Sequence, residues 1–479
     1  MRALLSTLAV LTTALPSWAS SPVPPMLSAT DAEVASQLRS IPTGDRIRLA
    51  NLLPGGAVEL ERVPVFTPDA QIVLHYESGD RLVSPPDTAF YRGWTDDING
   101  GLVTLSVTEG GEVRGIAKTS DGFAIILGGP EVGVGLEARA VSSAGPSGGF
   151  DCANGDLSDP RPERAFAGAF DRLAGNGAAA APQPAALGTP HTARIAIETD
   201  TEFLALAAFG GNTTTASNYI GGLFNYSSGI YSAEIDTTLL ISSISYWVGA
   251  DPWIQTNTSC MLFEYGRYWN DNNGAIDRTL SHMLSGKPTG GGVAWVGVLC
   301  SGEFIADIAS YGCPGLSPTT DNYGGAYGVT ADIDANFNPG NPTVLWDIVA
   351  TAHEVGHNFN SPHTHCYENL GGSASPVDIC FAGQCGTTGC HCGGTSLPGP
   401  VGTGSGTLMS YCHLLGGGFS NISLTFGTGH GFGTLPERVP TRMASHVASE
   451  AALSPACLAF TSGIEIFSDG FESGNTTAW

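Results

Sequence analysis

Positive charge is scarce in this chain: lysine and arginine together number 19 against 44 aspartates and glutamates, a formal charge of −25 over 479 residues. That balance repels nucleic-acid phosphates and anionic lipid head groups, which argues against a nucleic-acid partner. Charged residues of either sign make up only 13% of the chain, and the acidity reads as the surface of an exported protein rather than a recognition patch. Long apolar runs are missing as well. Beyond the first residues no stretch approaches the roughly 20 apolar residues that cross a bilayer, so no membrane span is expected. Internal repeats are absent.

What is present points to an exported chain with two folded parts. Met1-Arg2 provides a positive start, Ala3 to Leu15 an apolar run, and Ser17 and Ala19 the small residues of a cleavage site, so residues 1–19 read as a signal peptide. At 479 residues the chain exceeds one ordinary domain. Residues 20–141 read as a β-rich domain: a helical pattern from Asp31 to Asn51 is followed by short alternating runs such as Leu102-Val-Thr-Leu-Ser-Val107 between glycine turns. Residues 142–190 are dominated by Gly, Ala, Ser and Pro, including Ala178-Ala-Ala-Ala-Pro-Gln-Pro, and read as a linker. Residues 191–460 read as an α/β domain, with strands at Ala193–Ile197, Thr237–Ile244 and Val293–Cys300 and a last helix at Leu435–Leu453. The tail, 461–479, is polar and lacks a core face.

The chemistry concentrates in one string, His353-Glu-Val-Gly-His-Asn-Phe-Asn-Ser-Pro-His363. Asn341-Pro342 reads as a helix start, and Leu345, Ile348, Val349, Ala352 and Val355 recur at helical spacing. Histidines four apart on a helix project from one face, where two imidazoles can grip one ion, and Glu354 beside the first can reach a water on that ion. Zinc lowers the pKa of such a water to about 7, so a carboxylate there can serve as general base for peptide hydrolysis. The helix must stop for His363 to become a third ligand. Asn360 accepts the left-handed conformation that ends a helix, and Pro362 prevents its resumption. Three protein ligands leave the fourth position for water, as a catalytic zinc site requires.

This string resembles the extended zinc motif of the metzincin metalloendopeptidases, HExxHxxGxxH, with Asn360 in place of the usual glycine. Gly406-Thr-Leu-Met-Ser-Tyr-Cys412 resembles the family's methionine turn, which implies Met409 as the turn methionine. The cysteine-rich region and Gly292-Val-Ala-Trp-Val-Gly-Val-Leu-Cys300 are most similar to the reprolysin or adamalysin branch, and Tyr91-Arg-Gly, Gly101-Leu-Val-Thr-Leu-Ser and Gly115-Ile loosely resemble its propeptide. The resemblance implies a metzincin-like α/β (α+β) catalytic domain with a mixed sheet, a zinc-binding helix and a substrate-binding edge strand, preceded by an inhibitory prodomain. The implied activity is secreted zinc-dependent endoproteolysis of protein or peptide substrates, from a latent precursor activated by a cut in the linker. The alternative is a zinc-retaining but non-catalytic extracellular binding module, against which the intact Glu354 argues. Tyr411 resembles the tyrosine that astacin-like and serralysin-like members use near the metal, where it would stabilise an oxyanion; a packed tyrosine is the other reading.

Ten of the eleven cysteines fall between Cys260 and Cys457 and can form as many as five disulfides. Cys152 is left over in the linker, where its thiolate could occupy the open zinc position of the precursor, a cysteine switch in a setting unlike the family's usual switch sequence; an incidental or intermolecularly paired cysteine is the other reading. An exported chain favours disulfides over a second zinc site at Cys390-His391-Cys392. His365 and His413 read as loop or pocket-lining residues. A bound calcium ion is left open by the sequence. The last segment, Ile464 to Trp479, resembles short tails on exported bacterial proteins.

Overall fold

The computed structural model describes residues 24–54, 56–95, 101–129, 132–142, 145–146, 151–152, 191–400 and 402–460. The expected signal peptide, most of the expected linker and the expected C-terminal tail lie outside them.

The N-terminal region contributes β1 (Met26–Ser28), helix α1 (Val34–Ser40), β2 (Arg46–Leu53), β3 (Gly56–Val63), β4 (Phe66–Tyr76), β5 (Gly79–Val83), β6 (Ala89–Trp94), β7 (Leu102–Val107), β8 (Val113–Thr119), β9 (Gly122–Gly128), β10 (Leu136–Ala140) and the two-residue β11 (Asp151–Cys152). The expected helix from Asp31 to Asn51 is therefore only α1. Pro42 and Gly44 break it, and the next residues alternate, burying Ile47 and Leu49 as β2.

The second region begins with β12 (His191–Thr199), helix α2 (Thr213–Ile235), β13 (Thr237–Trp247) and α3 (Thr258–Asn272). It continues through β14 (Leu280–Leu284), β15 (Gly291–Ala294), β16 (Phe304–Asp307), β17 (Thr320–Gly324), β18 (Tyr327–Thr330), α4 (Val344–Asn358), α5 (Arg438–Leu453) and β19 (Leu458–Phe460). The strand expected at Val293–Cys300 ends at Ala294, because the chain turns away through Gly297 and Cys300, both at positive φ. Helix α4 starts at Val344 rather than Asn341, after a turn in which Thr343 Oγ1 donates to Asp334 at 2.7 Å, and α5 starts three residues later than expected.

Among the described residues, eight strands form a first sheet in the order β1-β2-β3-β6-β7-β8-β9-β10, antiparallel except for β1 and β2. A mixed, mostly parallel second sheet runs β11-β15-β18-β14-β12-β13-β4-β5, with β19 paired to β12. One face of the first sheet closes its own core around Ile47, Leu60, Val103, Leu105 and Ile126. The other face, with Phe90, Leu102 and Ile125, joins the large core of the second region. Five disulfides, Cys260–Cys313, Cys300–Cys457, Cys366–Cys390, Cys380–Cys412 and Cys385–Cys392, use all ten downstream cysteines. Among the described residues no helix is long and apolar enough to cross a membrane.

Candidate metal centre and active site

Helix α4 forms because its apolar residues recur every three or four positions and face the core: Leu345, Ile348, Val349, Ala352 and Val355 are all buried. That packing sets the opposite projection of His353 and His357, whose ring centroids lie 4.8 Å apart. The helix ends where expected. Asn360 sits at φ 74°, and Arg442 of α5 donates to its carbonyl at 2.7 Å and to its side-chain oxygen at 2.9 Å. A β-branched residue is strained in this conformation, so Asn360→Val is expected to cost about 1–3 kcal/mol in denaturant unfolding; an unchanged midpoint would refute the requirement.

The turn returns His363 to the helix, its ring 4.7 Å from that of His357 and 5.2 Å from that of His353. Each imidazole is fixed through Nδ1. His353 donates to the carbonyl of Leu408 at 2.6 Å, His357 to that of Ser361 at 2.7 Å, and His363 to Gln384 Oε1 at 2.9 Å. An Nδ1 that donates leaves a neutral ring with its Nε2 lone pair inward. The Nε2 atoms of His357 and His363 are 3.2 Å apart, and two lone pairs that close are compatible only with a shared proton or a cation. All three rings are held well below the ordinary imidazole pKa, by burial first and then by one another. Three convergent neutral imidazoles are the donor set of a catalytic zinc ion, and the residues fit it.

Gln384 was not singled out in the sequence; it lies in a cysteine-rich insertion whose course depends on disulfide pairing. Its Oε1 also accepts from His365 Nε2 at 2.6 Å, and the His365 ring stacks on that of His363. Burial pushes His365 down to about 4, so it stays neutral. The expected result of Gln384→Leu is a zinc affinity lower by roughly 10–100-fold, read by competition with a chromogenic chelator; unchanged affinity would show that the ring needs no such acceptor.

The side chain of Cys152 reaches the same place. Its Sγ and one ligand atom from each of His353, His357 and His363 all lie within 4.8 Å of one another. The sulfur is 3.4 Å from Glu354 Oε2 and 3.5 Å from His357 Nε2. The two-residue strand β11 carries it there, parallel to β15, with Asp151 opposite Gly291 and Cys152 opposite Gly292. The Glu354 side chain lies between α4 and β15, where a Cβ on Gly292 would stand 2.6 Å from Glu354 Oε1 and would push the carboxylate out of place.

Met409 is fully buried against α4, where a Cβ on Gly356 would stand 2.6 Å from its sulfur. Its carbonyl accepts from the backbone N–H of Thr364 at 2.9 Å, tying the turn to the segment that bears His363. The Tyr411 ring packs 4.5 Å from His363, and its hydroxyl accepts from the backbone N–H of Cys152 at 3.1 Å and donates to the Cys152 carbonyl. His413 packs between Trp346 and Tyr411, its ring centroid 5.5 and 5.7 Å from theirs. A second cluster, Asp378, Cys380 and Cys412, offers no thiolates because its two cysteines are bonded to each other.

Residues 189–412 match the family model described as metallo-peptidase family M12, a reprolysin model. No match to a curated protein sequence was found. Among solved structures, metalloproteinase-II from Bacteroides fragilis is 10% identical, over 72% of this chain and 90% of that one, with a TM-score of 0.38. A chaperone–substrate complex is 11% identical, over 88% of this chain and 61% of that one, with a TM-score of 0.27. Both scores fall short of a shared overall fold.

Proposed function

We propose, from the premise that residues 189–412 form a reprolysin-like metallopeptidase domain of family M12, that this protein is a secreted zinc endopeptidase made as a latent precursor. The observation that carries the reading is the convergence of three imidazoles, each fixed through Nδ1, beside the buried carboxylate of Glu354. Zinc held by His353, His357 and His363 would supply the Lewis acid that makes water nucleophilic near neutral pH.

The chain's own groups do the rest. Glu354 takes the proton of the attacking water and later returns it to the leaving amine. The Tyr411 hydroxyl donates to the oxygen that gains negative charge. Edge strand β15 offers main-chain pairing to an extended peptide, at the position that β11 holds in the precursor. Latency follows from Cys152, whose thiol stands among the histidines and beside Glu354 while its backbone engages Tyr411. The five disulfides fit an oxidising, extracellular destination.

Metal analysis of the processed protein should give one zinc per chain, with internal cleavage of an unfolded protein that stops on chelation and returns with zinc. A processed, zinc-loaded protein that cuts nothing would overturn the reading.

A further inference from the structure

We propose that the N-terminal region is a retained structural complement of the metallopeptidase sheet: cut between Cys152 and His191, it stays bound, and the site opens when β11 alone leaves β15. The consequence for regulation rests on the latency reading above; the retention does not.

Two surfaces carry the inference. At the first, β4 adds to β13 in parallel register from Phe66 opposite Ile241 to His75 opposite Trp247. Ile241 N–H donates to the Val65 carbonyl at 2.8 Å and Val248 N–H to the His75 carbonyl at 3.0 Å. Val65, Ile72 and Leu74 are buried in one core with Ile195 and Ile244, and Arg194 of β12 donates to both oxygens of Asp69, at 3.1 and 2.8 Å. Removing β4 would leave a row of β13 main-chain groups and an apolar face without partners.

At the second, α2 is buried almost continuously from Ala216 to Tyr231, on every side rather than along one stripe. A helix of that kind needs cover all round, and the first sheet provides it on one side. Cβ atoms on Gly221 and Gly229 would stand 2.4 Å from the Phe90 ring and 2.5 Å from Leu102. Asn225 donates to the Tyr91 carbonyl at 2.9 Å, and Thr88 donates to Asn218 Oδ1 at 2.6 Å. By contrast β11 meets β15 at two residue pairs. The small contact is the one that can yield first.

The experiment adds a site for a sequence-specific protease between Cys152 and His191 and cuts the folded chain. Both pieces are expected to co-elute in native buffer and to separate only in denaturant, with hydrogen exchange along β13 changing by less than about 2-fold. Separation in native buffer, or exchange along β13 rising to unpaired rates, would overturn the proposal. In the same chain with Cys152→Ala, the cut but assembled complex is expected to cleave substrate; activity confined to the fraction that has lost the N-terminal piece would overturn it too. Elution and exchange do not depend on catalysis: cleavage by neither the retained complex nor the separated metallopeptidase piece would count against the peptidase reading and leave the retention standing.

Discussion

Glu354→Gln, in processed protein that still holds zinc, is expected to lower kcat/KM by about 10²–10⁴-fold, the usual contribution of a positioned general base. Zinc retention follows from the geometry: the three imidazoles are anchored through Leu408, Ser361 and Gln384, and none of these bonds involves Glu354. Glutamine keeps the shape of the side chain that fits against Gly292 but cannot take the proton. The loss should therefore fall on kcat, with metal content and unfolding midpoint close to wild type. Turnover within a few-fold of wild type would remove Glu354 from the reaction. Tyr411→Phe is the companion measurement, since unchanged turnover there would leave Tyr411 a packing residue.

Cys152→Ala should convert the uncut precursor from latent to active. A tethered ligand is presented at an effective concentration of about 1 mM, so a thiol that binds the centre with a dissociation constant of roughly 10 μM would leave only about 1% of sites open. Removing the sulfur is then expected to raise precursor activity on the order of 10²-fold. The rise should stop short of the processed enzyme, because the Cys152 backbone still occupies β15 and still engages Tyr411. A Cys152→Ala precursor as silent as wild type would assign latency to that backbone contact and not to the thiol.

The local features of the site were legible in the sequence because they depend on neighbours a few residues away. Helical spacing put His353 and His357 on one face, and a residue tolerant of positive φ at Asn360 allowed the return that brings His363 back. The odd count of cysteines separated Cys152 from the ten that pair. Local pattern also misled: the apolar residues between Asp31 and Asn51 suit a helix until Ile47 and Leu49 find partners in β3, and Val293–Cys300 suits a strand that only its first residues form.

Tertiary structure decided what depends on distant segments. Cys152 meets residues more than 200 positions away in sequence, and Gln384 reaches His363 from an insertion shaped by the disulfides Cys366–Cys390, Cys380–Cys412 and Cys385–Cys392. The addition of β4 and β5 to the second sheet was equally invisible, because an alternating strand pattern states which face is buried but not which strand will be its neighbour. Spacing along the chain thus determined which imidazoles can converge, and tertiary packing decided that Cys152 of β11 meets them.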